Sequence, residues 1–514
     1  MRSNTLFVWQ FLFLTSIASA APGTGLLNGY PEAIEQTAAH EAAFTFSPRA
    51  REAYQQILSL RFIEARANLD ALQRLEPGNL IAPFLENYLD FFTILVDDNR
   101  EEYARRVRRM NPRLAQIARG DIHSPYYLYT QAEIRLQWGI LRGRYGNYLS
   151  SLSDIRQAYA LLEENQRRHP EFAANQKSLG ILHALVGNIP DEYRWVVKAL
   201  GGMGGTVDQG MQELKSVLVY AGQHDFVFEA ETRTAYSFLL LHLKNDKTGA
   251  WQILSAGRLD PQTSPLAAFA LANLAIRTGH NDEAIRILLD CPRGQPYHPF
   301  PYRDYLFGIA KLNRLDPDAN LPLEAFVHSF RGENGIKEAY QKLAWFHLIS
   351  GDKNGYRACM ALIKSTGNDR AEPDKAALRE ARSGEMPDPG LTRARLLFDG
   401  GYYQRAFDLL NSLSGRFTDP GKSSLEYTYR LGRVTHEMGN ARDAVRYYTQ
   451  TIESGARQPW YFACNAAFQL GLLYEKQKNY DLASAAFRRC LEIKPEEYAA
   501  SLHARAKAGL ARVR

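Results

Sequence analysis

Small or apolar residues recur along this chain in i, i+4, i+7 triplets. Examples are Ala65, Leu69 and Leu72; Ala284, Leu288 and Cys291; Ala444, Tyr448 and Thr451; and Ala483, Phe487 and Cys490. Such a triplet lays one stripe along one face of an α-helix. No segment alternates strictly as a half-buried strand does, and stretches such as Leu343, Phe346 and Leu348 keep the helical pattern going. The pattern predicts an all-α chain.

A second small residue stands twelve positions before each triplet: Ala53, Ala272, Gly432 and Gly471, with Ala394 ahead of Ala406 and Leu410. The spacing predicts pairs of antiparallel helices that cross where both side chains are small. Large residues such as Tyr474 and Phe487 fill the space beside the crossing. Pro77 and Pro495 end second helices, because proline lacks the amide hydrogen that would continue them. Phe238, Ala250 and Leu254 form a weaker copy, as do Gly146, Ala158, Leu162 and Pro170.

The run Leu470-Gly471, Tyr474, Ala483, Phe487, Cys490 and Pro495 resembles the tetratricopeptide repeat nearly residue for residue. Ala394, Gly432 and Gly471 follow one another at 38 and 39 residues, which marks a C-terminal array. The resemblance implies a helix-pair solenoid with an extended binding surface. A different pattern occupies residues 180–214. Gly180 to Pro190 leads into Trp195 and Leu200, then into the cluster Gly201 to Gly205, and Gly210 to Leu214 resumes a helix. This segment resembles a signature of the tetratricopeptide-39 family and of exported bacterial relatives. It is read as a non-repeat helical insert.

Composition sets expected boundaries. Residues 21–45 form a lead-in, 46–366 a helical body and 367–390 a Pro-, Gly- and charge-rich linker; 391–514 hold the C-terminal array with a basic capping helix from Glu496. The first twenty residues read as a signal peptide: Arg2, an apolar run from Leu6 to Ile17, then Ala18-Ser19-Ala20. Cleavage after Ala20 predicts an exported protein, most simply in a bacterial periplasm, with no membrane span afterwards. The formal net charge is only +6 for 514 residues, so nucleic acid is not expected as a partner. The basic cluster Arg105, Arg106, Arg108, Arg109 and Arg113 is read as a solvated helix face.

The sequence shows no enzyme motif. Gly421-Lys422-Ser423 lacks the upstream glycine and strand of a phosphate loop, and the glycine cluster has Val207 where a dinucleotide fingerprint needs its third glycine. His40-Glu41 begins a zinc-protease pattern, but Phe44 replaces its second histidine. The twelve histidines and four cysteines show no ligand spacing. No cofactor, metal or catalytic residue is expected. The expected function is an exported scaffold that binds a protein or peptide; an apolar-ligand carrier, an envelope component and, last, an enzyme remain open.

Tyr126, Tyr127, Tyr129 and Trp138 head a dense aromatic group with Tyr145 and Tyr148. Tyrosine and tryptophan suit binding hot spots as well as interhelical packing. His183 and Trp195 are further candidate contacts, with a hydrogen-bonded core histidine as the plainer reading of His183. Antiparallel helices pair residues whose numbers share one sum. Gly471 with Ala483 and Cys464 with Cys490 share it, so the two cysteines should face each other. They would form either a disulfide or a pair of buried thiols.

Overall fold

The structure is a computed structural model that describes residues 42–189 and 202–513. The signal peptide, His40-Glu41, Trp195 and Gly201 lie outside the described residues. Within the described residues the chain is all helical, with one isolated bridge between Ala43 and Asn79.

The body opens with α1 (Pro48–Leu58) paired with α2 (Phe62–Leu75), then α3 (Ile81–Asp97) and the short α4 (Arg100–Arg106) and α5 (Met110–Ile117). Next come the pairs α6 (Pro125–Arg144) with α7 (Tyr148–Arg168), and α8 (Ala173–Gly187) with α9 (Val207–Gln223). Three shorter pairs follow: α10 (Glu229–Leu243) with α11 (Lys247–Ser255), α12 (Pro265–Thr278) with α13 (Asn281–Asp290), and α14 (Pro301–Arg314) with α15 (Asn320–Ser329). Then come α16 (Ile336–Ile349), α17 (Lys353–Ser365) and α18 (Glu372–Ser383). The C-terminal array comprises α19 (Pro389–Asp399) with α20 (Tyr403–Ser412), α21 (Lys422–Glu437) with α22 (Ala441–Gly455), α23 (Phe462–Lys476) with α24 (Tyr480–Glu492), and the capping helix α25 (Ala499–Arg512).

Local sequence explains several helix starts. Ser47-Pro48, Ser124-Pro125, Ser264-Pro265 and Asp388-Pro389 each place a capping oxygen on a first-turn amide. The proline that follows already has helical φ. The expected crossings are also present. Ala53, Ala65, Ala272, Ala284 and Ala406 are fully buried. A Cβ added to Gly471 would sit 2.5 Å from the Phe487 ring, and one on Gly432 would sit 2.7 Å from Tyr448. Any larger residue would push these helices apart.

One copy is misplaced. Gly146 lies in the α6–α7 turn at φ +88° with nothing near its missing side chain. The close contact in that pair is Gly139 against Ile155, at 2.9 Å from a built Cβ. α6 and α7 are 20 and 21 residues long, so the turn glycine only mimicked the spacing. In the insert, the glycines pack helices. A Cβ on Gly210 would lie 2.2 Å from Gly180 O, and one on Gly187 would lie 2.4 Å from Val207 N. Only glycine lets α8 and α9 approach to backbone contact.

Segment 367–390 contains α18, which buries Ala377, Leu378 and Ala381 and packs on both α16 and α17. The array is also tied directly to the body. α19 packs on α14, Tyr402 Oη donates to Asp282 at 2.7 Å, Lys247 reaches Glu437 at 3.0 Å, and Gly401 lies against Gly279. Helices α19, α21, α23 and α25 pack successively on one another as an inner layer, with α20, α22 and α24 outside them.

Candidate functional site

Stacked helix pairs present their first helices on the concave side. On α21, Tyr429 and Arg433 stand one turn apart; on α23, Asn465, Phe468, Gln469 and Leu472 follow at i, i+3, i+4 and i+7. These stripes meet. Arg433 Nη1 and Asn465 Nδ2 both donate to Tyr429 Oη, at 3.2 and 2.8 Å. Arg505 of α25 lies over the Phe468 ring, 4.3 Å from its centroid. Arg433 covers Phe398 at 4.8 Å, and Trp345 carries Lys342 at 4.0 Å and Arg395 at 4.4 Å.

The nearby carboxylates are already occupied. Glu426 holds Arg430, Glu437 holds Lys247, and Glu475 takes both nitrogens of Arg512 at 2.6 and 2.8 Å. Among the described residues, neither Arg433 nor Arg505 has a carboxylate within ion-pairing distance, although Glu437 acts on Arg433 from further away. Arg505 is an exposed residue taken as a whole, but the protein packed around its guanidinium lowers its pKa, with the like charge of Arg433 as the next cause.

The body holds a buried ionic cluster that composition gives no sign of. Lys177 sits between Glu133 and Glu231 at 3.3 and 3.1 Å, below the Phe228 ring at 4.8 Å. Tyr54 donates to Glu231 and Ser178 to Glu133, and Tyr88 lies within 3.5 Å of both carboxylates. Burial opposes the Lys177 charge, but the two glutamates outweigh it and hold the pKa well above the usual lysine value. The cavity beside this cluster measures about 70 Å³.

The sequence-picked aromatics belong mainly to this core. Tyr129 and Trp138 are fully buried. Trp138 Nε1 donates to Asn87 Oδ1 at 2.8 Å, and Tyr129 packs against Phe172 and Phe228, so neither is an open contact residue. Tyr126 is half-buried against Phe46 and Phe172; Tyr127 is half-buried too, and Tyr145 stacks on Tyr103 at 4.4 Å. Within this group only Tyr148 is exposed.

His183 is 4% exposed. Its Nδ1 lies 2.7 Å from Glu213 and 3.1 Å from Gln209, and its Nε2 lies 3.4 Å from Tyr159. It edges a polar cleft of about 410 Å³ lined by glutamines and by Glu163 and Glu213. This is the hydrogen-bonded core histidine, with a polar rather than an apolar cleft beside it.

The expected solvated face of the basic cluster needs correction. Asp90 is fully buried and draws in Arg106, Arg109 at 3.0 Å and Arg113 at 2.6 Å, and Arg113 is itself 5% exposed. Burial alone would raise the Asp90 pKa, but Arg113 and Arg106 more than offset this and lower it. Arg105, Arg108 and Arg109 remain exposed, whereas Arg106 and Arg113 are drawn inward, because a buried carboxylate needs paired cations.

Cys464 and Cys490 face each other as the helix pairing requires. Both are fully buried thiols, with Sγ atoms 3.5 Å apart. Among the described residues, no group of three or more His, Cys, Asp or Glu side chains could hold a metal, and no helix is long and apolar enough to cross a membrane.

The family model for the tetratricopeptide repeat matches residues 465–497. No curated protein matches. Among solved structures, the tetratricopeptide domain of P58(IPK) is similar over 80% of this chain and 95% of its own, at 16% identity and a TM-score of 0.20. Human IFIT1, in its dimer with m7Gppp-AAAA, is similar over 99% of this chain and 94% of its own, at 11% identity and a TM-score of 0.29.

Proposed function

We propose that this tetratricopeptide repeat protein is an exported scaffold that holds a protein or peptide partner along the inner face of α19, α21, α23 and α25. The observation that carries the reading is that unbroken inner layer, on which polar, aromatic and cationic side chains of α21 and α23 meet at Tyr429 and Arg505 of α25 stacks on Phe468 of α23. Helix-pair solenoids use their concave face for extended ligands.

The carrier reading has less support. The cavity beside Lys177 is about 70 Å³, far below the roughly 300 Å³ from which small-molecule sites begin, and the larger cleft at His183 is polar.

Site-specific photocrosslinking in the producing cell tests the scaffold. A photoreactive residue at Leu472 on the inner stripe should give defined protein adducts, and one at the exposed Leu482 of α24 should not. Equal adducts from both positions, or none from Leu472, would overturn the reading. Export is checked separately by N-terminal sequencing. The expected first residue is Ala21; a retained Met1 would refute cleavage.

A further inference from the structure

We propose that the polar cleft between α7 and α9 binds a small organic cation, whose primary ammonium sits between Glu163 and Glu213. The inference goes beyond the scaffold reading and does not depend on it. The cleft belongs to the non-repeat insert of the body, and it lies between two second helices rather than on the first helices of the C-terminal array.

Three observations support it. First, packing leaves room there. α9 lies tightly on α8, but α7 and α9 scarcely meet, and α8 supplies the buried residues between them, Leu179 and His183. The resulting cleft of about 410 Å³ falls within the roughly 300–1,000 Å³ of small-ligand sites.

Second, the lining has an excess of acceptors and of negative charge. Leu179 is its single apolar side chain, and among the described residues no lysine or arginine lines it. Glu163 and Glu213 have His183 as their only ion-pairing neighbour among the described residues, at 3.9 and 2.7 Å. Two carboxylates against one imidazole leave negative charge over. An ammonium between them offsets that charge and donates to both.

Third, His183 is held in a fixed orientation. Gly205 has φ +127°, and a Cβ on it would lie 2.6 Å from His183 Cα, so only glycine lets this backbone rest against the histidine. A carboxylate only accepts, so Nδ1 of His183 donates to Glu213 and Nε2 is left as an acceptor, with Tyr159 Oη 3.4 Å away. Gln209 Nε2 steadies the other oxygen of Glu213 at 3.0 Å. The imidazole nitrogen and both carboxylates thus await N–H or O–H donors.

The same lining rejects other occupants. An apolar ligand would leave these groups desolvated and unpaired. An anion would face two carboxylates. A metal ion finds no group of three His, Cys, Asp or Glu ligands among the described residues.

The test is titration calorimetry of the full mature protein with spermidine, a linear polyamine, and with glucosamine, an amino sugar. Glucose, which lacks the ammonium, is the control. At least one amine should bind saturably at one site and glucose should not; the tighter amine identifies the source of the ammonium. Glu163→Gln and Glu213→Gln keep the side-chain shape and should each weaken that binding by about tenfold. Both residues are only partly buried, and melting curves of the variants check that the fold is kept. Glu164→Gln removes an equal charge from the same helix, where Glu164 already holds Arg168 at 2.7 Å, and should leave binding unchanged. The proposal is overturned if neither amine binds, if glucose binds as tightly as glucosamine, if affinity survives in both Glu163→Gln and Glu213→Gln, or if Glu164→Gln loses as much.

Discussion

Replacing Gly401 by alanine should detach the C-terminal array from the body, and replacing Gly439 should not. The two glycines have nearly the same backbone, φ +81° and φ +80°, so alanine brings the same conformational strain to both, about 1 kcal/mol. Their surroundings differ. A Cβ on Gly439 meets nothing within 4 Å, whereas one on Gly401 lies 2.6 Å from Gly279 Cα and 2.7 Å from Gly279 O. Those atoms are backbone and cannot rotate aside. Accommodating the methyl means moving the α19–α20 turn away from the α12–α13 turn, which adds about 1–3 kcal/mol, as overpacking commonly does. The same movement loosens the Tyr402–Asp282 hydrogen bond and the Lys247–Glu437 ion pair. A solenoid opens locally, so hydrogen–deuterium exchange read peptide by peptide is the suitable assay. Gly401→Ala should speed exchange in α12, α13, α19 and α20; Gly439→Ala should show only a mild change near its own turn. Equal exchange profiles in the two variants would refute the idea that this contact joins body and array.

Further outcomes follow from the same structure. Gly471→Trp should unfold the last repeats, since even a Cβ there would lie 2.5 Å from Phe487, while Gly421→Ala should be nearly silent because nothing lies within 4 Å of it; similar melting shifts for both would count against the placement of the crossing. Asp374 is fully buried and caps α16 through Gly335 N and Glu338 N, and burial raises its pKa from 3.8 to about 7. A raised acid contributes most below its unfolded value, and that contribution is lost as pH rises through the folded one. Thermal melts should therefore show Asp374→Asn gaining on the wild type between pH 3.8 and about 7, and a constant difference would refute this. Cys464 and Cys490 should join when the protein meets an oxidising compartment, since their sulfurs already face each other at 3.5 Å; free alkylatable thiols in nonreducing peptide maps of exported protein would show that they only pack.

Much of the candidate site was within reach of the sequence yet was not selected. Tyr429, Arg433 and Asn465 occupy inner positions of repeats whose register was already set by Gly432 and Gly471. What drew attention instead was aromatic density at Tyr126 to Trp138. Density does not distinguish a surface from a core, because aromatic side chains bury well in either. The Arg105 to Arg113 cluster shows the same limit. Its charge is obvious in the sequence, but nothing local reveals that Asp90, on another helix, lies beneath it.

The sequence by itself determined what neighbouring residues decide. Spacing of small and large side chains fixed the helix pairs, because an antiparallel crossing is closed within about forty residues and each repeat touches mainly the next. Serine–proline steps fixed helix starts, and one shared sum placed Cys464 opposite Cys490. Tertiary structure alone decided how distant parts meet. It set Gly401 against Gly279, placed Lys177 between Glu133 and Glu231, and laid Arg433 over Phe398. Those contacts depend on the rotation accumulated from pair to pair, a sum of small packing angles that no single stretch of sequence specifies.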